Sequence, residues 1–258
     1  MISVQIIVFI FGLIVGSFLN VCIYRLPRSL SIVRPASACP RCNATVKPWD
    51  NIPVASYILL GGKCRNCGSP ISLRYPFVEL LNGILYLAVM TFFGPGWHVL
   101  FLFMLVSAFI VITFIDLDFQ IIPDSITLPG VVIGLIAASF LLPDPFLTRA
   151  TGIVGFKNSL IGMALGAGLY YLIAVLSRGG MGGGDMKMMA MVGAFMGWKA
   201  IFLTTFIGSL TGSFIGIFLM VAKGKGRKTK IPFGPFLALG AIATLFYGNV
   251  ILNWYFHR

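Results

Sequence analysis

RGGMGGGDMKMMA, residues 178–190, places five glycines and then Asp185 at the start of an apolar stretch that continues to Ala222. Residues 186–197 have the composition of a helix. At about 1.5 Å per residue, such a helix reaches only part of the way across a bilayer of roughly 30 Å. Residues 197–199, GWK, are the expected break before the next helix. The stretch therefore predicts a short helix, opened by a glycine-rich loop, that lines a polar cavity rather than facing lipid.

The composition of the whole chain agrees with a membrane setting. Of its 258 residues 58% are hydrophobic and only 10% are charged, and the mean hydropathy is +0.97. A typical soluble domain is about 25% charged. The net charge of +12 would suggest nucleic-acid binding in a soluble protein. In a membrane protein it more often reflects cytoplasmic loops rich in Lys and Arg, so no nucleic-acid partner is expected.

Apolar runs recur along nearly the whole sequence and predict an all-α polytopic membrane protein with about eight transmembrane helices, one of them short. The predicted spans are residues 3–24, 76–93, 98–115, 126–142, 158–176, 186–197, 200–222 and 233–253. The predicted domains are a first transmembrane helix (1–24), a small cytoplasmic module (25–75) and a transmembrane domain (76–258).

The distribution of basic residues predicts the orientation of the chain. With the N-terminus outside, the cytoplasmic loops contain 15 of the 19 Lys and Arg residues, as the positive-inside rule requires. The basic segment KGKGRKTK (223–230) is then a topology signal in contact with anionic lipid headgroups. No cleavable signal peptide is expected, because Arg25 and Arg28 follow the first apolar run and nothing basic precedes it.

The 25–75 module contains two C-x2-C pairs, CPRC (39–42) and CRNC (64–67). Four thiolates can enclose one tetrahedral zinc ion and leave no position open for water, which is typical of a structural site. Two disulfides are the alternative, but a reducing cytoplasm disfavours them. A module of this size has a small core, so a metal is expected to stabilise it. The predicted zinc ligands are Cys39, Cys42, Cys64 and Cys67.

Five of the seven acidic residues lie at or near the predicted cytoplasmic ends of helices. In IDLDFQIIPDSITLP (115–129), Asp124 precedes an apolar run and suits a helix N-cap. Asp118 lies in the turn. Asp116 directly follows the third span and is the deepest of the three. Asp116 and Asp185, at the inner ends of separate spans, could meet in one wet cleft.

Such a pair has a recognised chemistry. Two close carboxylates share a proton, so that one acts as a base that activates water and the other as an acid that protonates the leaving amine of a peptide bond. The glycines before Asp185 would let a substrate backbone approach, so the predicted substrate cleft comprises Gly182, Gly183, Gly184 and Lys187. Two alternatives remain open at this point: Asp185 is a helix N-cap, or the carboxylates serve proton-coupled transport.

Several long motifs, in order, resemble the type IV prepilin peptidases, the bifunctional leader peptidases and N-methyltransferases of the bacterial inner membrane. GSFLNVCIYRLPR (16–28) resembles the first-span signature of that family, and IPFGPFLALG (231–240) the last-span signature. The cytoplasmic domain is matched by SACPRC, KPWDNIPVASYILLGGKCRNC and RYPFVEL. The two aspartyl motifs are matched by IDLDFQIIPD and GMGGGDMK, the second of which contains GxGD at Gly182–Asp185. The segment between Arg28 and Cys39 is shorter than in some members.

The resemblance implies roles for particular residues. Asp116 and Asp185 correspond to the catalytic aspartates of these GxGD-type proteases, and the four cysteines to their tetracysteine set. It also implies the substrates, which are type IV prepilins or pseudopilins. Their basic leader is cut at the cytoplasmic face of the inner membrane, and the new N-terminal residue is methylated with S-adenosylmethionine.

The methyltransferase half is poorly specified by the residues themselves, because no glycine-rich dinucleotide fingerprint follows a strand. Lys63 and Glu79 are weak candidates for the cofactor site, and a surface salt bridge is an equal alternative for Glu79. A carboxylate-based transporter is disfavoured because the two halves show no inverted repeat. A zinc-binding membrane scaffold without catalysis would leave Asp116 and Asp185 unexplained.

Overall fold

The computed structural model describes residues 2–147, 152–177, 181–223 and 232–256. Helices account for most of these residues, and the β-type pairings among them are isolated bridges. The helices are α1 (Ile2–Arg25), α2 (Ala55–Leu59), α3 (Arg74–Phe93), α4 (Trp97–Phe119), α5 (Asp124–Phe140), α6 (Phe156–Leu176), α7 (Gly183–Met196), α8 (Trp198–Lys223) and α9 (Gly234–Phe256). The basic segment 224–230 and residues 178–180, both singled out in the sequence, lie outside the described residues.

Eight of these helices coincide with the predicted spans, which confirms the fold class; α2 lies within the 25–75 module. In the described part of the chain, six helices are long and apolar enough to cross a membrane: α1, α3, α4, α6, α8 and α9. The protein is therefore a multi-pass membrane protein. Two helices rather than one are short, since α5 has 17 residues and α7 has 14.

Helix α4 is longer at its C-terminus than predicted, and this changes the setting of two aspartates. The helix continues to Phe119, so Asp116 and Asp118 lie in its last turns rather than in a loop. It ends at Gln120, which adopts the left-handed conformation and donates its N–H to the Asp116 carbonyl at 2.9 Å. This C-cap closes the helix one turn beyond Asp116.

The chain forms two compact units, Met1–Pro95 with Leu102–Val111 and Gly96–Phe101 with Ile112–Arg258. In the first unit, α1 and α3 pack through small residues. A Cβ atom at Gly12 would lie 2.8 Å from the Gly83 Cα atom, and one at Gly16 would lie 2.7 Å from the Glu79 Cα atom. Asn82 crosses this interface and donates from Nδ2 to the Gly12 carbonyl at 2.7 Å. The pattern is the small-residue packing of membrane helices, locked by one polar side chain.

In the second unit, α7 is enclosed by its neighbours. Every residue from Met188 to Met196 is buried. Gly193 of α7 lies against the backbone of Gly162 in α6, and the Phe195 ring lies where a side chain at Gly134 of α5 would stand. A short helix can be accommodated at membrane depth when protein surrounds it, because its ends are then not exposed to lipid. The first turn of α7, which contains Asp185, is held in place by this packing.

Candidate active site

Asp116 projects from the last turn of α4 and is buried, with 6% of its surface exposed. Its Oδ2 atom accepts a hydrogen bond of 2.8 Å from the backbone N–H of Gly234, the first residue of α9. The carboxylate therefore has a fixed partner from a helix far away in the sequence. Asp118, two residues further on, is exposed.

Asp185 is the third residue of α7 and is 8% exposed. Its backbone N–H donates to the Gly182 carbonyl at 3.2 Å, so the residue closes the first turn rather than preceding it. Gly182 is the N-cap residue, which makes the alternative of Asp185 as an N-cap wrong. Gly184 lies against the segment that follows α4, since a Cβ atom there would be 2.8 Å from the Ile122 Cβ atom.

The two aspartates interact electrostatically, with the Asp116 carboxylate acting on that of Asp185. Both side chains are buried in the second unit. Two buried carboxylates that interact electrostatically cannot both be ionised without a large cost in free energy, so the pair is expected to share one proton. This is the charge state that general acid–base hydrolysis requires.

Lys187 lies on the same turn of α7 but points to a different partner. Its ammonium group contacts both carboxylate oxygens of Asp124 at 2.7 Å. Asp124 is the first residue of α5 and Pro123 is the N-cap residue, so the N-cap interpretation of Asp124 is wrong. Of the glycines predicted for the cleft, Gly182 and Gly183 are exposed and Gly184 is half-buried.

The four cysteines of the module converge on one point. Their Sγ atoms all lie within 4.8 Å of one another, and those of Cys39 and Cys67 are 3.9 Å apart. A tetrahedral zinc ion with Zn–S bonds of about 2.3 Å separates its sulfur atoms by roughly 3.8 Å. A disulfide brings two sulfur atoms to about 2.05 Å, and the cysteines are free thiols. The arrangement fits a four-thiolate metal site.

Both cysteine pairs adopt the same turn. Cys39 accepts at its carbonyl from the N–H of Asn43, and Cys64 accepts in the same way from Gly68, each at 2.9 Å. Asn43 and Gly68 both have positive φ, at 54° and 68°, directly after the second cysteine of their pair. Backbone hydrogen bonds from Cys42 and Arg41 lower the pKa of the Cys39 thiol to about 6. This favours the thiolate that a metal needs.

Glu79 and Lys63, the weak candidates for a cofactor site, have different surroundings. Glu79 is 7% exposed, and its Oε2 atom accepts the N–H of Val54 at 2.8 Å. It is therefore not a surface salt bridge. Val54 precedes α2 with φ 61°, which is unusual for a β-branched residue, and the Glu79 carboxylate holds it there. Lys63 is exposed on the second cysteine turn.

Gly234 contacts Asp116 but was not among the residues predicted for this site. The motif IPFGPFLALG was recognised as a last-span signature, but nothing in it predicts a contact with Asp116. The available signal was the order of residues at the start of α9. The first N–H of a helix has no acceptor within the helix, and Phe233 has no side-chain acceptor to cap it, so the Gly234 N–H needs a partner from elsewhere.

The fold and the buried aspartate pair define a multi-pass helical membrane protein with the elements of an acid–base site. The sequence matches the bacterial peptidase A24 N-terminal domain over residues 10–93 and the type IV leader peptidase family over residues 103–217. The chain belongs to the type IV leader peptidase family.

Relatives in several bacteria carry the name prepilin leader peptidase/N-methyltransferase. The one from Legionella pneumophila is 38% identical, and the match covers 95% of this chain and 92% of the relative. The one from Pseudomonas aeruginosa is 35% identical over 95% of this chain and 90% of its own length. The relative from Neisseria gonorrhoeae is 37% identical, over 89% of this chain and 86% of its own length. No solved structure matches the chain.

Proposed function

We propose that this chain cleaves the leader peptide of type IV prepilins or pseudopilins with Asp116 and Asp185, and then methylates the new N-terminal amine. The observation that carries the proposal is the pair of buried carboxylates that interact within one helical unit. The family match and the names of its relatives supply the substrate class. The metal and the methyl donor are zinc and S-adenosylmethionine.

The hydrolytic steps follow from the shared proton. The ionised carboxylate accepts a proton from water as the water oxygen bonds to the scissile carbonyl carbon. The protonated carboxyl group gives its proton to the carbonyl oxygen. When the C–N bond breaks, the first carboxyl group returns its proton to the leaving amine. As the carbonyl re-forms, the second carboxylate takes back a proton from a hydroxyl of the tetrahedral gem-diol, so both aspartates are ready for a second turnover with one proton between them.

The glycine-rich entry to α7 suits a peptide substrate. Gly182 and Gly183 are exposed and carry no side chain, so an extended substrate backbone can approach the first turn of the helix. The same turn contains Asp185. We infer that these glycines form part of the substrate cleft. Lys187 contributes to the cleft through its ion pair with Asp124, which holds the side chain in place.

The orientation is inferred from charge. The loops that contain most of the Lys and Arg residues are assigned to the cytoplasmic side. The 25–75 module and the entry to α7 are among these loops. The bacterial inner membrane is the location that this assignment and the family support. A prepilin would then meet the aspartate pair at the inner face, where its apolar N-terminal helix enters the membrane.

Cys39, Cys42, Cys64 and Cys67 would hold one zinc ion, which would fix the two cysteine turns relative to each other. Four thiolates complete a tetrahedral shell, so the ion would stabilise the module rather than activate water. S-adenosylmethionine supplies the methyl group when it is bound. Glu79 is placed to hold the turn at Val54, which makes it a positioning candidate for this half-reaction.

The proposal is tested by leader cleavage with the purified protein. Asp116→Asn and Asp185→Asn should each reduce cleavage by several orders of magnitude, and the double variant should be little worse, because the two residues act as a unit. Asp118→Asn, on the exposed side of the same helix, is the matched control and should cleave normally. Methylation of an already cleaved pilin should survive in all of these variants.

Near-normal cleavage by Asp185→Asn would reject the mechanism. Wild-type protein that neither cleaves a prepilin nor methylates a cleaved one would favour a transporter or a scaffold instead.

A further inference from the structure

The first N–H group of α9 is capped in an unusual way. The first N–H groups of any helix lack partners within the helix and are normally capped by a side chain just before it. Here Phe233 precedes the helix and has no side-chain acceptor, while its carbonyl accepts the N–H groups of Phe236 and Leu237, and Pro235 has no N–H. The Gly234 N–H is capped instead by Asp116, a residue 118 positions earlier in the chain, at 2.8 Å.

The close approach depends on the absence of a side chain at residue 234. A Cβ atom there would lie 2.8 Å from the Asp116 Oδ2 atom, 3.2 Å from its Cγ atom and 3.3 Å from its Cβ atom. All three contacts are with the same side chain, and real Cβ atoms essentially never come as close as the shortest of them. Any other residue at this position would push the carboxylate away from the N–H.

The contact also affects which aspartate carries the shared proton. A hydrogen bond donated to a carboxylate favours its ionised form, and the positive end of a helix of 23 residues acts in the same direction. Asp185 also lies in a first helical turn and has a backbone hydrogen bond with Gly182. However, Asp185 also interacts electrostatically with the Asp116 carboxylate.

We propose that Gly234 is a positioning residue of the peptidase, whose N–H orients the Asp116 carboxylate and keeps it ionised, so that Asp116 is the base and Asp185 the acid. This rests on the proposed function of the pair. With Oδ2 engaged by Gly234, the Asp116 Oδ1 atom accepts the proton of the attacking water. The carboxyl proton of Asp185 passes to the carbonyl oxygen of the substrate. As the C–N bond breaks, Asp116 gives its proton to the leaving amine, and Asp185 takes back a proton from a hydroxyl of the gem-diol as the carbonyl re-forms.

Gly234→Ala tests the proposal, with leader cleavage measured across a range of pH. The substitution should lower kcat by about ten- to a hundred-fold, the effect of losing one hydrogen bond to a charged group, and should change KM little. The acidic limb of the kcat profile should move to higher pH by about one unit, because the base loses a donor that favours its ionised form. Methylation of a cleaved pilin should be unchanged, which shows that the protein is folded.

Gly248→Ala is the matched control. It adds the same methyl group to the same helix, at a tight contact of 3.1 Å with Phe146 and far along the helix from the aspartates. It should leave the pH profile in place. Gly234→Pro is a second variant, since the first position of a helix tolerates proline and the substitution removes the N–H itself. It should move the same acidic limb.

Three outcomes would overturn the inference. The first is a normal pH profile of kcat in both Gly234 variants. The second is a shift of the alkaline limb of that profile alone. The third is an equal fall of kcat in Gly234→Ala and Gly248→Ala with neither limb of the profile moved. Inactive aspartate variants combined with a normal Gly234→Ala would reject this inference and leave the proposed function standing. Active aspartate variants would reject the proposed function itself.

Discussion

Lys187 illustrates how a single contact changes the interpretation of a residue. Its position two residues after Asp185 suggests a charge directed at the substrate or at the aspartate pair. The structure directs it to Asp124, with side chains that are 34% and 55% exposed. An ion pair this exposed contributes at most about 1 kcal/mol. The residue therefore connects the first turns of α5 and α7 rather than neutralising the pair.

This leads to a prediction about Lys187 and Asp124 as a unit. Lys187→Met and Asp124→Asn should each reduce cleavage by only a few-fold and to the same extent, because either change breaks the same contact. In a double-mutant cycle, the combined variant should be no worse than either single one. Additive losses would instead mean that the Lys187 ammonium acts on the substrate independently of Asp124. Cleavage rates of the four proteins decide between the two.

At the scale of an element, α7 is the helix most dependent on its neighbours. Its 14 residues span about 21 Å, which is too short for an ordinary membrane helix. Gly193 allows the backbones of α6 and α7 to touch, and Gly134 makes room for Phe195. We infer that α7 is stabilised by close packing against α5 and α6, because it is too short to be stabilised by spanning the membrane.

Gly193→Ala should therefore destabilise the protein by about 1–3 kcal/mol, since the added methyl group meets the Gly162 backbone, which cannot move aside as a side chain would. Thermal unfolding in detergent should show a lower midpoint. Gly168→Ala on α6 is the control, because a Cβ atom there meets nothing within 4 Å. It should be neutral or slightly stabilising, as alanine favours the helix over glycine. Equal midpoints for the two variants would contradict the packing argument.

The cysteine module is the second element with a testable requirement. Cys64→Ser should remove the bound zinc, since three thiolates and a hydroxyl bind the ion far less well than four thiolates. Metal analysis should find about one zinc per chain in the parent protein and much less in the variant. Methylation should fall more than cleavage. Cys22→Ser, in α1 and outside the cluster, is the control for metal content. Unchanged zinc in Cys64→Ser would reject the site.

At the scale of the whole molecule, the orientation in the membrane decides whether the aspartate pair can meet a prepilin. A cysteine introduced at Gly183, an exposed residue in the entry to α7, should react with a membrane-impermeant reagent only from the cytoplasmic side. A cysteine at Leu147, in the segment between α5 and α6, should react only from the opposite side. Parent protein labelled in parallel accounts for the native thiols. The reverse pattern would overturn the topology and the proposed site of cleavage.

The amino-acid sequence by itself determined the class of the protein, the approximate position of eight helices and the four clustered cysteines, and it predicted Asp116 and Asp185 as the catalytic pair. These follow from local patterns, namely apolar runs, C-x2-C spacing and acids beside helix ends, together with several long family motifs. Hydrophobicity and short-range geometry act over a few residues, so a sequence displays them directly.

Other features were decided only by the tertiary structure. They are the extension of α4 past Asp116, the pairing of Lys187 with Asp124 and the contact between Gly234 and Asp116. The last two join residues that are 63 and 118 positions apart, through a side chain on one helix and the end of another. No local pattern encodes such contacts, because they depend on how whole helices pack. A glycine at the start of α9 is an ordinary residue until α4 brings a carboxylate to its N–H.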